Sequence, residues 1–164
     1  MPTDHASFLH AMAQVPTPVT VVTTRTSDGH RYGFTASAFC SLSARPPLIL
    51  VCLAKTSSCH PAFTRTGSFM VNLLAEDHQE VARAFARGGQ DKFTDSTMTE
   101  CELGLPGLPD AAARLACTTH AVLDGGDHSI LVGQVERTAV LEQQPLVYHN
   151  RQFAGTRPHA MATT

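Results

Sequence analysis

The stretch Leu115-Ala116-Cys117-Thr118-Thr119-His120-Ala121-Val122-Leu123, followed by Asp124-Gly125-Gly126-Asp127 and then by Ser129 to Leu141, decides the fold class. Two long apolar runs around a glycine-rich turn read as a hairpin of unusual length. Strands this long suit the staves of a barrel. Upstream, Gln90 to Pro109 is polar and punctuated by glycine and proline, so it is expected as a long loop with at most a short strand. Loops of that length inside a domain are often functional.

Further outward, Glu76 to Arg87 carries Val81, Ala84 and Phe85 at helical spacing and stops at Gly88-Gly89. Ser68 to Leu74 reads as a strand. Lys55 to Ser58 is a polar turn leading into a helical segment that ends near Gly67. Before it, Leu48-Ile49-Leu50-Val51-Cys52-Leu53 is a continuous apolar run behind Pro46-Pro47, the pattern of a central strand covered on both faces. Val19 to Thr24 and Tyr32 to Leu42 form a hairpin turned at Asp28-Gly29. Asp4 to Val15, with Phe8, Leu9, Met12 and Val15 at helical spacing, is a short amphipathic helix. After Pro145, Leu146 to His149 is a last short strand, and the tail beyond Gly155 is polar enough to fray.

About seven strands, two helices and short hairpins predict a mainly β chain with a few helices, an antiparallel barrel, because closure removes exposed sheet edges. Residues 1–164 show no repeat or linker and read as one domain. A formal net charge of -2 with 16% charged residues supplies no basic field for a phosphate backbone, so nucleic acid is not an expected partner. The longest apolar stretches, such as Pro47 to Ala54, fall far short of the ~20 residues that span a bilayer. Met1-Pro2-Thr3-Asp4-His5 has no signal-peptide character, and a cytoplasmic setting is expected. Five cysteines without a C-x-x-C are expected as reduced thiols. Cys59-His60, His120 and His128 lack the close spacing of metal ligands, so no metal is expected.

The chain has neither a G-x-G-x-x-G fingerprint nor a P-loop. A bound nucleotide would need another phosphate cradle. Gly33-Phe34-Thr35-Ala36-Ser37 and Lys55-Thr56-Ser57-Ser58 each offer hydroxyls and backbone N–H groups in a bend, which a phosphate dianion requires. Lys55 and Lys92 are the two lysines of the chain, and both sit in polar turns.

The ordered set Val19 to Thr24, Gly33 to Phe39, Pro47 to Leu53, Phe85-Ala86, Asp91-Lys92-Phe93 and Gly126-Asp127-His128 resembles the flavin reductase family with the FMN-binding split-barrel fold. The resemblance covers about residues 6 to 155. It implies an antiparallel split β-barrel and a homodimer. The implied activity is reduction of FMN or FAD by NADH or NADPH, the reduced flavin passing to a separate flavin-dependent monooxygenase.

The resemblance also implies roles by position. Gly33, Phe34, Thr35, Ala36 and Ser37 match the segment around the flavin's phosphate and ribityl chain. Val51, Cys52 and Leu53 match the strand end beside the isoalloxazine ring. Ser57 and Ser58 match further phosphate contacts, and Arg83, Phe85 and Ala86 fall where the second helix meets the flavin, with Asp91-Lys92-Phe93 just beyond. His128 matches a residue near the nicotinamide. Asn150, Arg151, Gln152 and Phe153 match the segment that closes over it. Hydride passes between the two nucleotides directly, so the protein's task is to stack, orient and desolvate. His128 is accordingly expected to position its ligand rather than to act as an acid or base, and Cys52 to contribute backbone rather than sulfur. Pro18 departs from the family's usual glycine and removes an N–H donor.

Two competing readings are a flavin-carrying barrel without nicotinamide access and a split-barrel oxidase of a pyridoxine-like amine. The second would require a lysine and arginine cluster that so few lysines do not supply.

Overall fold

The computed structural model describes residues 3–89, 91–94 and 96–158. Helix α1, His5–Ala13, begins where the Asp4 carboxylate accepts the Ser7 amide at 3.0 Å, as an N-terminal cap requires. Seven main strands follow in chain order: β1 (Thr20–Arg25), β2 (Arg31–Ala36), β3 (Phe39–Ala44), β4 (Pro47–Ala54), β5 (Ser68–Leu73), β6 (Ala113–Gly125) and β7 (His128–Val140). Helix α2 (His60–Phe63) lies between β4 and β5, and α3 (Gln79–Ala86) between β5 and β6. A small C-terminal hairpin, β8 (Val147–His149) and β9 (Gln152–Ala154), pairs with the two-residue strand Thr17–Pro18.

The seven strands make one sheet in the order β2-β1-β5-β6-β7-β4-β3, with every neighbouring pair antiparallel. The run Tyr32 to Leu42, expected as one strand, is two. It breaks at Ser37-Ala38, where the Phe39 amide donates to the Ser37 carbonyl and the Cys52 amide donates to the Ala38 carbonyl. That bend carries the chain from one edge of the sheet to the other and curls it into a barrel. The interior draws Val22, Phe34, Val51, Val71, Cys117 and Leu131 from six different strands into one cluster. Two register shifts between β6 and β7, near Gly133 and Glu136, supply the bulges that let long strands bend around a closed core.

The strand covered on both faces is β1 rather than β4. In β4 only Ile49, Val51 and Leu53 are buried in the core, and the residues between them, Leu50 and Cys52, are half-buried. In β1 every residue from Thr20 to Thr24 is buried, with Val22 in the barrel and Val21 beneath α3. Its threonines carry no continuous apolar signal. They are accommodated because Thr20, Thr23 and Thr24 donate to the carbonyls of Ala36, Pro106 and Ser68, so none of these three buried hydroxyls is left unpaired.

The loop before β6 is held from both ends. Thr99–Glu100 pairs with Pro106–Gly107. Arg114 makes two hydrogen bonds to Glu102, at 3.0 and 2.8 Å, and donates to the carbonyls of Leu108 and Pro109. This guanidinium holds the Glu102 carboxyl below its ordinary range. Buried Asn72 donates to Val21 and accepts from the Leu108 amide, so the loop's path is written into β5.

Candidate functional site

The β6–β7 hairpin closes in two residues, Gly126-Asp127, with Gly125 opposite His128. Gly126 has φ +81°, the conformation a type II′ turn demands at its first central position. This tight turn places His128 at the rim of a cleft of about 500 Å³ at one end of the barrel, within the size range of small-molecule sites. The walls come from four elements: the end of β2 with the Ser37-Ala38 bend, the end of β4 with Thr56 to Ser58, the C-terminus of α3 with Gly88 and Gly89, and Lys92.

Of the residues singled out in the sequence, the cleft brings together Phe34, Thr35, Ala36, Ser37, Cys52, Leu53, Ser57, Ser58, Phe85, Ala86 and His128. Val51 is fully buried in the barrel core, because alternation along β4 turns its side chain inward. Gly33 lies one step outside, on an adjoining pocket. Its Cα faces the Phe85 ring so closely that a Cβ there would stand 2.7 Å from a ring carbon.

Arg83 and residues Asn150 to Phe153 are also outside the cleft. Asn150 and Arg151, with φ +50° and +62°, form the tip of the β8–β9 hairpin. Phe153 packs at 5.7 Å from Tyr148, and the Arg83 guanidinium stacks over it at 5.1 Å. Thr56, from the candidate phosphate turn, and Lys92, expected just beyond the flavin-contacting helix, also line the cleft, as do Ala38, Ala54, Arg87, Gly88 and Gly89, which the sequence did not single out for it. Lys92 and Gly88-Gly89 do carry a signal, as a rare lysine in a polar turn and as a helix stop.

Lys92 is the principal cation of this cleft. Its ammonium donates to the Gly33 carbonyl at 3.0 Å and to the Phe85 carbonyl at 2.9 Å, satisfying a carbonyl at the C-terminal end of α3. A third N–H remains for a ligand. Partial burial lowers its pKa. The Thr35 hydroxyl donates to the Ala82 carbonyl at 2.6 Å, fixing β2 to α3. At the opposite rim, His128 Nδ1 is 2.7 Å from the Asp127 carboxylate. A carboxylate only accepts, so Nδ1 is the ring nitrogen that donates in this bond, and Nε2 is the one left free of it. That bond also lowers the Asp127 pKa. Lys55 pairs with Asp124, and its amide donates to the Asp127 carbonyl, so the turn is tied back to the end of β4. Burial, followed by the neighbouring Cys40, raises the Cys52 pKa, which keeps that thiol protonated and unreactive.

The cleft thus combines a cation, hydroxyls and backbone amides with an apolar strand end and an imidazole. Charge and hydrogen-bond donors suit a phosphate, while the strand end suits a flat ring.

Residues 12–157 match the model of the flavin reductase like domain. Among curated relatives, the chain is 43% identical over 155 residues to actinorhodin polyketide dimerase of Streptomyces coelicolor, covering 94% of this chain and 88% of that protein. It is 42% identical to NADH:riboflavin 5'-phosphate oxidoreductase of Streptomyces pristinaespiralis, covering 93% and 88%. It is 38% identical to HsaB of Rhodococcus jostii, the reductase subunit of a flavin-dependent monooxygenase, covering 94% and 80%. Among solved structures, the NADH:FAD oxidoreductase SgcE6 of Streptomyces globisporus, in complex with NAD and FAD fragments, superposes with a TM-score of 0.87 at 31% identity, covering 100% of this chain and 98% of that one. The sequence match, the shared barrel and the cleft agree: this chain belongs to the flavin reductase like domain family.

Proposed function

We propose that the chain reduces free flavin with a nicotinamide nucleotide and releases the reduced flavin to a separate monooxygenase. The observation that carries the proposal is the polarity of the cleft. Lys92, Ser57 and Ser58 give it a cation and hydroxyls suited to a phosphate, and Cys52 to Ala54 with His128 give it a wall suited to the ring. The bound flavin supplies the electron acceptor. The protein's share is to hold the phosphate, lay the ring along the end of β4 and exclude water while hydride transfers. His128, its tautomer set by Asp127, orients the nicotinamide.

Relatives named as an NADH oxidoreductase and as a monooxygenase reductase subunit support NADH as donor and a monooxygenase as consumer. A homodimer is supported by the apolar surface the monomer leaves uncovered. Phe8, Leu9 and Met12 of α1 are 49, 42 and 48% exposed, and Leu42, Leu123 and Val140 project from the outside of the barrel. Free cysteines and a nicotinamide substrate support a cytoplasmic setting.

The test is NADH and NADPH oxidation by the purified protein with FMN, with FAD or with no flavin, followed by absorbance. Turnover that depends on added flavin is the expected result. Flavin binding without nicotinamide oxidation would overturn the reductase reading in favour of a flavin carrier.

A further inference from the structure

The cleft does not end at Lys92. Ser58, Gly89 and Lys92 also border a second pocket of about 270 Å³, whose other walls include Arg31, Tyr32, Cys59 and Phe93. Arg31, Asp91 and Phe93 continue from there into an open pocket of about 510 Å³ that reaches the Asp28-Gly29-His30 turn. A mononucleotide whose ring lies at His128 and whose phosphate lies at Lys92 fills only the first of these spaces.

The two outer pockets have the parts a dinucleotide's second half requires. Arg31 is a planar cation fork suited to a phosphate, and it rests 4.9 Å from the Phe93 ring centroid. Phe93 is buried edge-on against Phe85 at 5.2 Å, so the surface under Arg31 is rigid. Tyr32 adds a half-buried aromatic wall. Farther out, the Asp91 carboxylate, bonded to the Phe93 amide and the Thr94 hydroxyl, and the Asp28 carboxylate, bonded to Thr26 and to the His30 amide with the His30 ring 3.3 Å from its other oxygen, are exposed acceptors for sugar hydroxyls.

Given a flavin in the cleft, the reading on which this inference rests, we propose that the extension holds the adenylate half of FAD, with Arg31 as the residue that makes the protein prefer FAD over FMN. Family membership leaves this choice open, because one relative is named for riboflavin 5'-phosphate and another for FAD. The shared chemistry is an adenosine joined through a pyrophosphate, which NADH also carries, so the test must separate the two sources.

Dissociation constants for FAD and for FMN would be measured by fluorescence titration of the full chain without nicotinamide, for wild type, Arg31→Ala and Arg31→Lys. Wild type is expected to bind FAD about tenfold more tightly than FMN, a difference of about 1.4 kcal/mol. Arg31→Ala should remove most of that tenfold preference while FMN affinity moves by less than about twofold, and Arg31→Lys should restore part of it. Arg31 is exposed, so neither variant should impair folding. Equal affinities in wild type, or equal weakening of both flavins in Arg31→Ala, would overturn the assignment. Unchanged flavin affinities with a raised KM for NADH would overturn it too, by giving the extension to the nicotinamide nucleotide. Failure of wild type to bind either flavin would instead sink the flavin reading itself.

Discussion

Around the cleft, each wall is bonded to a second element through main-chain groups; at the β8–β9 hairpin, attachment to α3 runs through side chains alone. Thr35 reaches the Ala82 carbonyl, and Lys92 bridges the carbonyls of Gly33 and Phe85. The hairpin meets α3 through Arg83 lying over Phe153, and its backbone is tied to the Thr17–Pro18 strand and to the Ala13 carbonyl at the end of α1. The sequence resemblance points to both regions for ligand handling, yet only the first surrounds the cleft. Preorganisation of the site therefore resides in the α3–β2 contact.

The most severe way to break the comparison is to remove the side chain on which that contact rests. Phe85 is fully buried, packs edge-on against Phe93 and presses on Gly33. Phe85→Ala is expected to cost about 3–5 kcal/mol of stability, from lost burial and the cavity left behind. Urea denaturation reads this directly. A loss below about 1 kcal/mol would mean that α3 is held chiefly from the hairpin side.

Next in size is Lys92. Lys92→Met keeps most of the aliphatic stem and removes the charge, so the site loses its charge-assisted bond to a phosphate. Bonds to charged groups contribute roughly 1.5–3 kcal/mol, and flavin affinity should fall by about one to two orders of magnitude. FMN and FAD should weaken alike, because both carry the phosphate nearest the ring. Unchanged affinity for both would place the phosphate elsewhere, with Arg87, which also lines the cleft, the next cation to test.

The distinction between the two regions is only partly legible in the sequence. The long hairpin is, because β6 and β7 carry their pattern locally and Gly126 marks the turn. Thr35, Ser57 and Ser58 are visible as hydroxyls in bends. The break at Ser37-Ala38 is not, since nothing in Tyr32 to Leu42 signals that its halves pair with strands at opposite edges of the sheet. The identity of the covered strand is hidden for a related reason. Composition favours apolar β4, but burial of β1 depends on partners far along the chain, including the carbonyl of Pro106 and Asn72 of β5. Lys92 stands out as a rare lysine, but its reach to Gly33 and Phe85 is a fact of tertiary structure. Likewise, the sequence places Asn150 to Phe153 by order alone and contains nothing to say which way the hairpin faces.

His128 and Arg151 set the two regions against each other in function. His128→Ala should lower kcat/KM for NADH by about tenfold, roughly 1.4 kcal/mol of lost transition-state stabilisation, with flavin affinity nearly unchanged. Asp127→Asn should give a smaller loss in the same direction, because an amide holds the imidazole tautomer less firmly than a carboxylate. Arg151→Ala, at the hairpin tip, should change kcat/KM by no more than about twofold. Equal losses at His128 and Arg151 would bring the hairpin back to the nicotinamide.

The smallest expected effect concerns the side-chain attachment itself. Arg83 also pairs with Glu80 and donates to Gln79 on α3, so deleting it removes three interactions at once, and a single substitution would not isolate the stacking. A double-mutant cycle on Arg83→Gln and Phe153→Leu does, because the Glu80 and Gln79 contributions cancel between the two arms. A half-exposed guanidinium over a phenyl ring is worth about 0.5–1 kcal/mol, and the coupling energy from thermal or urea unfolding should lie there. NADH oxidation should be unaffected by Phe153→Leu if the hairpin only braces α3. A coupling near zero combined with lost activity would show that Phe153 acts on a ligand, and both regions would then belong to the ligand-handling machinery.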